Sequence, residues 1–198
     1  MSNAYANIAF TPAVRAEQAR HGSADIYARV LSDERQDGAH LTEREADILR
    51  ARDGIFQATV SESGWPYVQF RGGTPGFLKV IDPQTVAYAD YRGNRQYISA
   101  GNLQDNDRVS ILAIDFAQRR RLKLLGHARI TEDPKVIAYL NTTDGPIAER
   151  AIVIRVAAFD WNCPQHIPVR RTDAEHGGEI DRLRTRIAEL EQMRFACT

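Results

Sequence analysis

The densest group of residues able to do chemistry is Ala89-Asp90-Tyr91-Arg92-Gly93-Asn94-Arg95-Gln96. An apolar alternating run stops at Ala89, Gly93 permits a tight turn, and two amides and an arginine follow. The pattern predicts a helix from Asn94 to about Leu103, with Arg92, Asn94, Arg95 and Gln96 at its mouth. Unpaired N–H groups and the positive end of the helix dipole attract an anion at such a point. Guanidinium groups add two-pronged hydrogen bonding to phosphate oxygens. Taken alone, the segment serves equally well as a helix start capped by Asn94, with its arginines in water.

Other stretches add charge at strand spacing. Tyr67, Gln69 and Arg71 alternate with Pro66, Val68 and Phe70, so Gln69 and Arg71 share a face. Arg121 and Lys123 share a face opposite Leu122 and Leu124, and Lys79 sits between Leu78 and Val80. Several segments thus each present a cation or amide, as solvated sheet exteriors also do. No catalytic triad or carboxylate pair stands out. Gly72 to Gly76 is glycine-rich but lacks the Lys-Ser/Thr of a phosphate-binding loop and is flanked by strands. Cys163 and His166 are two ligands where tetrahedral zinc needs more, and His127 reads as a structural histidine within a strand.

These residues must be positioned by an all-β unit with helices around it. A short helix is expected after Thr11-Pro12 and a linker over Ser32 to His40; Thr42-Glu43-Arg44-Glu45 forms a capping box for a helix to about Arg52. Strands then follow at Ile55–Val60, Trp65–Arg71, Phe77–Ile81, Thr85–Ala89, Arg108–Phe116, Arg121–Ile130 and Ala151–Phe159, separated by short turns. That rhythm argues for a meander or barrel, not a parallel sheet. Asp133-Pro134 opens another helix. Ile180, Leu183, Ile187 and Leu190 repeat at coiled-coil spacing. Two heptads are too few for a stable isolated coiled coil, so that last helix must lie on the barrel or on a partner chain.

The chain has 198 residues, 26 basic and 26 acidic. Balanced charge supplies no field for nucleic acid or an anionic membrane, and Arg119-Arg120-Arg121 lacks interleaved aromatics, so no nucleic-acid or membrane partner is expected. Two cysteines, Cys163 and Cys197, do not make a disulfide framework, and no apolar run approaches a membrane span. A cytoplasmic protein is expected.

The segments Gly64-Trp65-Pro66-Tyr67-Val68-Gln69, Gly76-Phe77-Leu78-Lys79-Val80, Ala89 to Ile98 and Arg120-Arg121-Leu122-Lys123-Leu124-Leu125-Gly126 together resemble the pyridoxamine 5′-phosphate oxidase-related family of FMN-binding split barrels. The resemblance spans about residues 42–167, and one branch of the family also shares Asp160-Trp161-Asn162-Cys163-Pro164. It implies a mainly β fold: a six-stranded antiparallel split β-barrel at 42–172, after an N-terminal extension (1–41) and before a C-terminal amphipathic helix (173–198). It further implies FMN held between the subunits of a homodimer. Carried across, Asn94, Arg95 and Gln96 take the place of a phosphate-binding Ser-Arg-Lys run, while Asp90 and Tyr91 are a strand-end pair touching the flavin. Lys79 matches a lysine near the ring, Arg121 stands where the family has a flavin-contacting glutamine, and Gln69 stands for an arginine that Arg71 would replace. Arg121 or Lys123 near the ring would stabilise reduced flavin. The branch's Trp161-to-Ile167 stretch would close over the pocket. The oxidase's C-terminal Arg-x-His-Asp substrate motif has no match, which argues against pyridoxamine phosphate as substrate. The expectation is an FMN-dependent oxidoreductase acting on an organic small molecule, with NAD(P)H a candidate donor; a non-catalytic flavin sensor or carrier is the alternative.

Overall fold

The computed structural model describes residues 1–32, 37–141 and 148–196; part of the expected linker and Cys197 lie outside them. Three short helices, α1 (Asn3–Ala9), α2 (Pro12–Arg20) and α3 (Ala24–Ser32), precede α4 (Glu43–Arg50). Pro12 takes the first turn of α2, after Thr11 as cap. At α4 the capping box forms as spelled, with Thr42 and Glu45 satisfying each other's backbone donors.

From Gly54 the chain alternates. The strands are β1 (Gly54–Val60), β2 (Pro66–Gly72), β3 (Lys79–Asp82), β4 (Thr85–Tyr91), β5 (Arg108–Asp115), β6 (Arg120–Thr131) and β7 (Ala148–Asn162). Helix α5 (Ile98–Asp105) separates β4 from β5, α6 (Pro134–Leu140) separates β6 from β7, and α7 (Asp173–Ala196) closes the chain. All strand pairs are antiparallel in one sheet of order β2-β1-β5-β6-β7-β4-β3. These are the seven strands read from alternation, one more than the six that the family resemblance implied; the shortest is the four-residue β3, which pairs with β4 alone. β7 also begins earlier than its apolar run, because Ala148, Glu149 and Arg150 continue the ladder beside Tyr91 and Asp90.

Alternation turns Ile55, Ile111, Leu122, Leu124, Ile152 and Ile154 inward to one core, and Ile48 and Leu49 of α4 join it. Tyr88 is also inward and fully buried; its hydroxyl donates to Gln57 Oε1 at 2.8 Å, and burial pushes the phenol's pKa well up. Asn102 of α5 donates to Thr59 Oγ1 at 2.9 Å, so the helix plugs the barrel through a polar pair. At Gly126, where the β6–β7 ladder is bulged, a Cβ would stand 2.5 Å from the carbonyl oxygen of Arg155, so only glycine fits. Outside the sheet, α6 lays Leu140 on Ala87 and Ala151, and α1 packs on β7. Phe56, Val68 and Phe70 stay exposed on the outer face of β1 and β2. Among the described residues, no helix is long and apolar enough to cross a membrane.

Candidate functional site

β2 and β4 are far apart in the order of the sheet, yet its curl brings them together. Alternation points Tyr67, Gln69 and Arg71 of β2 to the inner side, and the end of β4 brings Asp90 opposite them. Arg71 Nη1 donates to Asp90 Oδ1 and Arg150 Nε to Asp90 Oδ2, both at 2.7 Å. Asp90 is only 3% exposed, so this carboxylate clamps β2 and β7 to β4 in a dry setting. Behind the clamp, the Arg71 guanidinium lies 5.8 Å from the centre of the Tyr88 ring.

The chain then turns sharply over residues 92–97. The amide of Arg95 donates to the carbonyl of Arg92 at 3.2 Å, and the amide of Gln96 to Asn94 Oδ1 at 3.1 Å. Arg95 and Tyr97 take left-handed backbone angles, φ 62° and 53°. These angles prevent helix formation, so α5 starts at Ile98, four residues later than expected from the sequence. Asn94, Arg95 and Gln96 therefore stand in the turn ahead of the helix and not in its first coil. Arg92 Nε donates to Glu149 Oε1 at 2.6 Å and the Tyr97 hydroxyl to Glu149 Oε2 at 3.2 Å. The bond from Arg92 holds the Glu149 carboxyl below its ordinary range, and the same bond raises Arg92. Arg150 also covers the Tyr97 ring, 4.8 Å from its centre.

These elements enclose a cavity of about 260 Å³. Of the residues singled out in the sequence, it gathers Gln69, Arg71, Asp90, Tyr91, Arg92, Asn94, Arg95 and Gln96. Tyr67, Tyr97, Ser99 and Arg150 also line it. Tyr67 was readable, because it shares the alternation of Gln69 and Arg71. Arg150 was not, because it precedes the apolar run by which the last strand was recognised. Ser99 donates to Gln69 Oε1 at 3.0 Å, which ties the first turn of α5 to β2. Four arginines thus line the cavity against one lining carboxylate, and Arg71 Nε is buried without a hydrogen-bond partner. Such a wall suits an anion.

Lys79, Arg121 and Lys123 do not line this cavity. Lys79 is on β3, paired with Ala87 at the edge of the sheet. Arg121 and Lys123 project from the outer face of β6, because Leu122 and Leu124 take the core face. Lys123 Nζ is 3.1 Å from Asp160 Oδ2 and 4.5 Å from the centre of the Tyr5 ring. Asp160 also accepts the amide of Ser2 at 3.1 Å, so α1 and its cap cover this part of the sheet. Arg121 Nε is buried without a hydrogen-bond partner. Trp161 donates from Nε1 to Glu45 Oε1 at 2.6 Å, under the guanidinium of Arg44, which fixes it to α4.

No curated protein sequence matches the chain significantly. Among solved structures, HupZ from Group A Streptococcus is 16% identical over 66% of this chain and 99% of its own, with a TM-score of 0.52. A candidate pyridoxamine 5′-phosphate oxidase from Lactobacillus delbrueckii is 21% identical over 63% of this chain and 96% of its own, with a TM-score of 0.50. At such identity these two show a shared fold. The family model described as pyridoxamine 5′-phosphate oxidase matches residues 41–162, which include β1 to β7 and the whole cavity wall. The chain belongs to the pyridoxamine 5′-phosphate oxidase family.

Proposed function

We propose that the chain binds FMN and works as an FMN-dependent oxidoreductase on an organic small molecule. The observation that carries this reading is the arginine-lined cavity, with the buried, unpartnered Arg71 Nε in its wall. A dianionic phosphate fits the charge there: Arg95 would approach it from the open side, and Arg71 and Arg150 from within. At about 260 Å³ the cavity falls short of the roughly 300–1,000 Å³ typical of whole-ligand pockets. It suits the phosphate and sugar chain, and leaves the ring system outside. A second protomer, docked on the exposed Phe56, Val68 and Phe70 of the outer face, would make the working unit a homodimer with the ring at the boundary between the two copies. The partner's face would then offer Arg121, whose unpartnered Nε suits an anionic edge of the ring; Lys123 is already committed to Asp160.

Bound flavin supplies two-electron redox chemistry, and the protein's share is to bind, orient and shield it. NADH or NADPH is the proposed electron donor. The test is the visible spectrum and mass of the ligand carried by the purified protein, then anaerobic mixing with each nicotinamide. A yellow protein that releases FMN and bleaches with a nicotinamide is expected. Protein that remains colourless after mixing with FMN would refute the reading; bound FMN that neither nicotinamide reduces would refute the proposed donor.

A further inference from the structure

Helix α7 is 24 residues long, about 36 Å at 1.5 Å per residue. Among the described residues no other element makes more than marginal contact with it. Its apolar stripe is in the open: Ile180 is 41% exposed, Leu183 58%, Ile187 57% and Leu190 50%. Gly177 and Gly178 precede the stripe, and each costs a helix about 1 kcal/mol relative to alanine, so intrinsic propensity does little to hold its first turns together. The spacing of the stripe places Ile180 and Ile187 at the a positions of two heptads, and Leu183 and Leu190 at the d positions. Ile at a with Leu at d favours two parallel strands.

The sequence around the stripe suits a second copy of the same helix. Positions 179 and 186, both g, carry Glu and Arg, and positions 184 and 191, both e, carry Arg and Glu. In a parallel pair each g position faces the partner's e position five residues further on. Position 179 then meets the partner's 184, and 186 meets the partner's 191, with opposite charges at both. We infer that α7 pairs with α7 of a second copy in a parallel two-stranded coiled coil. Two heptads alone are marginal, but tethering to barrels that associate as proposed above, on which this inference rests, raises the effective concentration of one helix for the other. The pairing does not depend on whether flavin is bound.

The test uses the full chain with Cys163→Ser and Cys197→Ser, to which Leu190→Cys is added at a d position. Mild oxidation should convert most of this protein to a disulfide-linked dimer on a non-reducing gel. Thr185→Cys in the same background, on the opposite face, should remain monomeric on the gel. Adding Ile187→Asp to the Leu190→Cys protein should abolish the link, with the barrel's near-ultraviolet circular dichroism unchanged. Equal linking of the Leu190→Cys and Thr185→Cys proteins would overturn the inference. So would linking of Leu190→Cys only when it is mixed with an Ile180→Cys chain, because that result means antiparallel helices.

Discussion

Replacing Asp90 by Asn tests whether the clamp closes the barrel. The carboxylate is 3% exposed and takes one guanidinium on each oxygen at 2.7 Å. The amide keeps the shape but accepts at one oxygen and turns N–H groups toward the other cation. Breaking a buried pair from one side costs about 3–5 kcal/mol, because the remaining charge is left without a partner. For a chain of this size each kcal/mol shifts Tm by about 2–4 °C, so the variant should melt roughly 6–20 °C lower. The cavity also gains a net positive charge. Inorganic phosphate should therefore raise the Tm of the variant more than that of the parent, since at a given concentration a ligand that binds the folded state more tightly stabilises it more. Thermal unfolding followed by circular dichroism, across a phosphate series at constant ionic strength, measures both effects. A fall in Tm below about 2 °C would refute the clamp as the closing contact. Equal phosphate shifts in the two proteins would refute the cavity as an anion site.

Further outcomes follow from the same geometry. Arg95→Ala removes an exposed guanidinium at the open side of the cavity; FMN affinity should fall about tenfold, the low end for a charge-assisted hydrogen bond, with riboflavin affinity unchanged in fluorescence titrations. Arg121→Gln should lower the midpoint potential of bound flavin, and an unaltered potential would remove Arg121 from the ring. Glu45 is buried, which raises its pKa, but hydrogen bonds from Thr42 and Trp161 together carry it below the ordinary value. A lowered folded pKa means the stabilisation is present above the unfolded pKa and is lost as pH falls through the folded one. Glu45→Gln should therefore cost about 1.5–3 kcal/mol at neutral pH and flatten the loss of stability in acid, measured by urea melts at a series of pH values.

The parts of the fold legible in the sequence are those with local signals. The capping box at Thr42, the Asp133-Pro134 start of α6 and the alternating strands each depend on neighbours a few residues apart. The shift of α5 was hidden, because nothing in Arg95 or Tyr97 announces a left-handed backbone in residues other than glycine. β3 was legible as the apolar run Phe77 to Ile81, although the strand itself starts later, at Lys79. The eight cavity residues lie in two short stretches whose spacing was readable. Their closure onto Arg150 depends on curl of the whole sheet, which local periodicity does not encode. Lys79, Arg121 and Lys123 had the right chemistry at strand spacing, but periodicity gives only which residues share a face, not which way that face looks.

The left-handed angles at Arg95 and Tyr97 have an evolutionary corollary. For residues with a Cβ such angles cost about 1–2 kcal/mol each, which glycine would avoid. A population selected only for heat resistance should therefore lose Arg95 to glycine early, and one required to keep its ligand should not. The identity of this single position under the two regimes would separate what the turn does for folding from what it does for recognition.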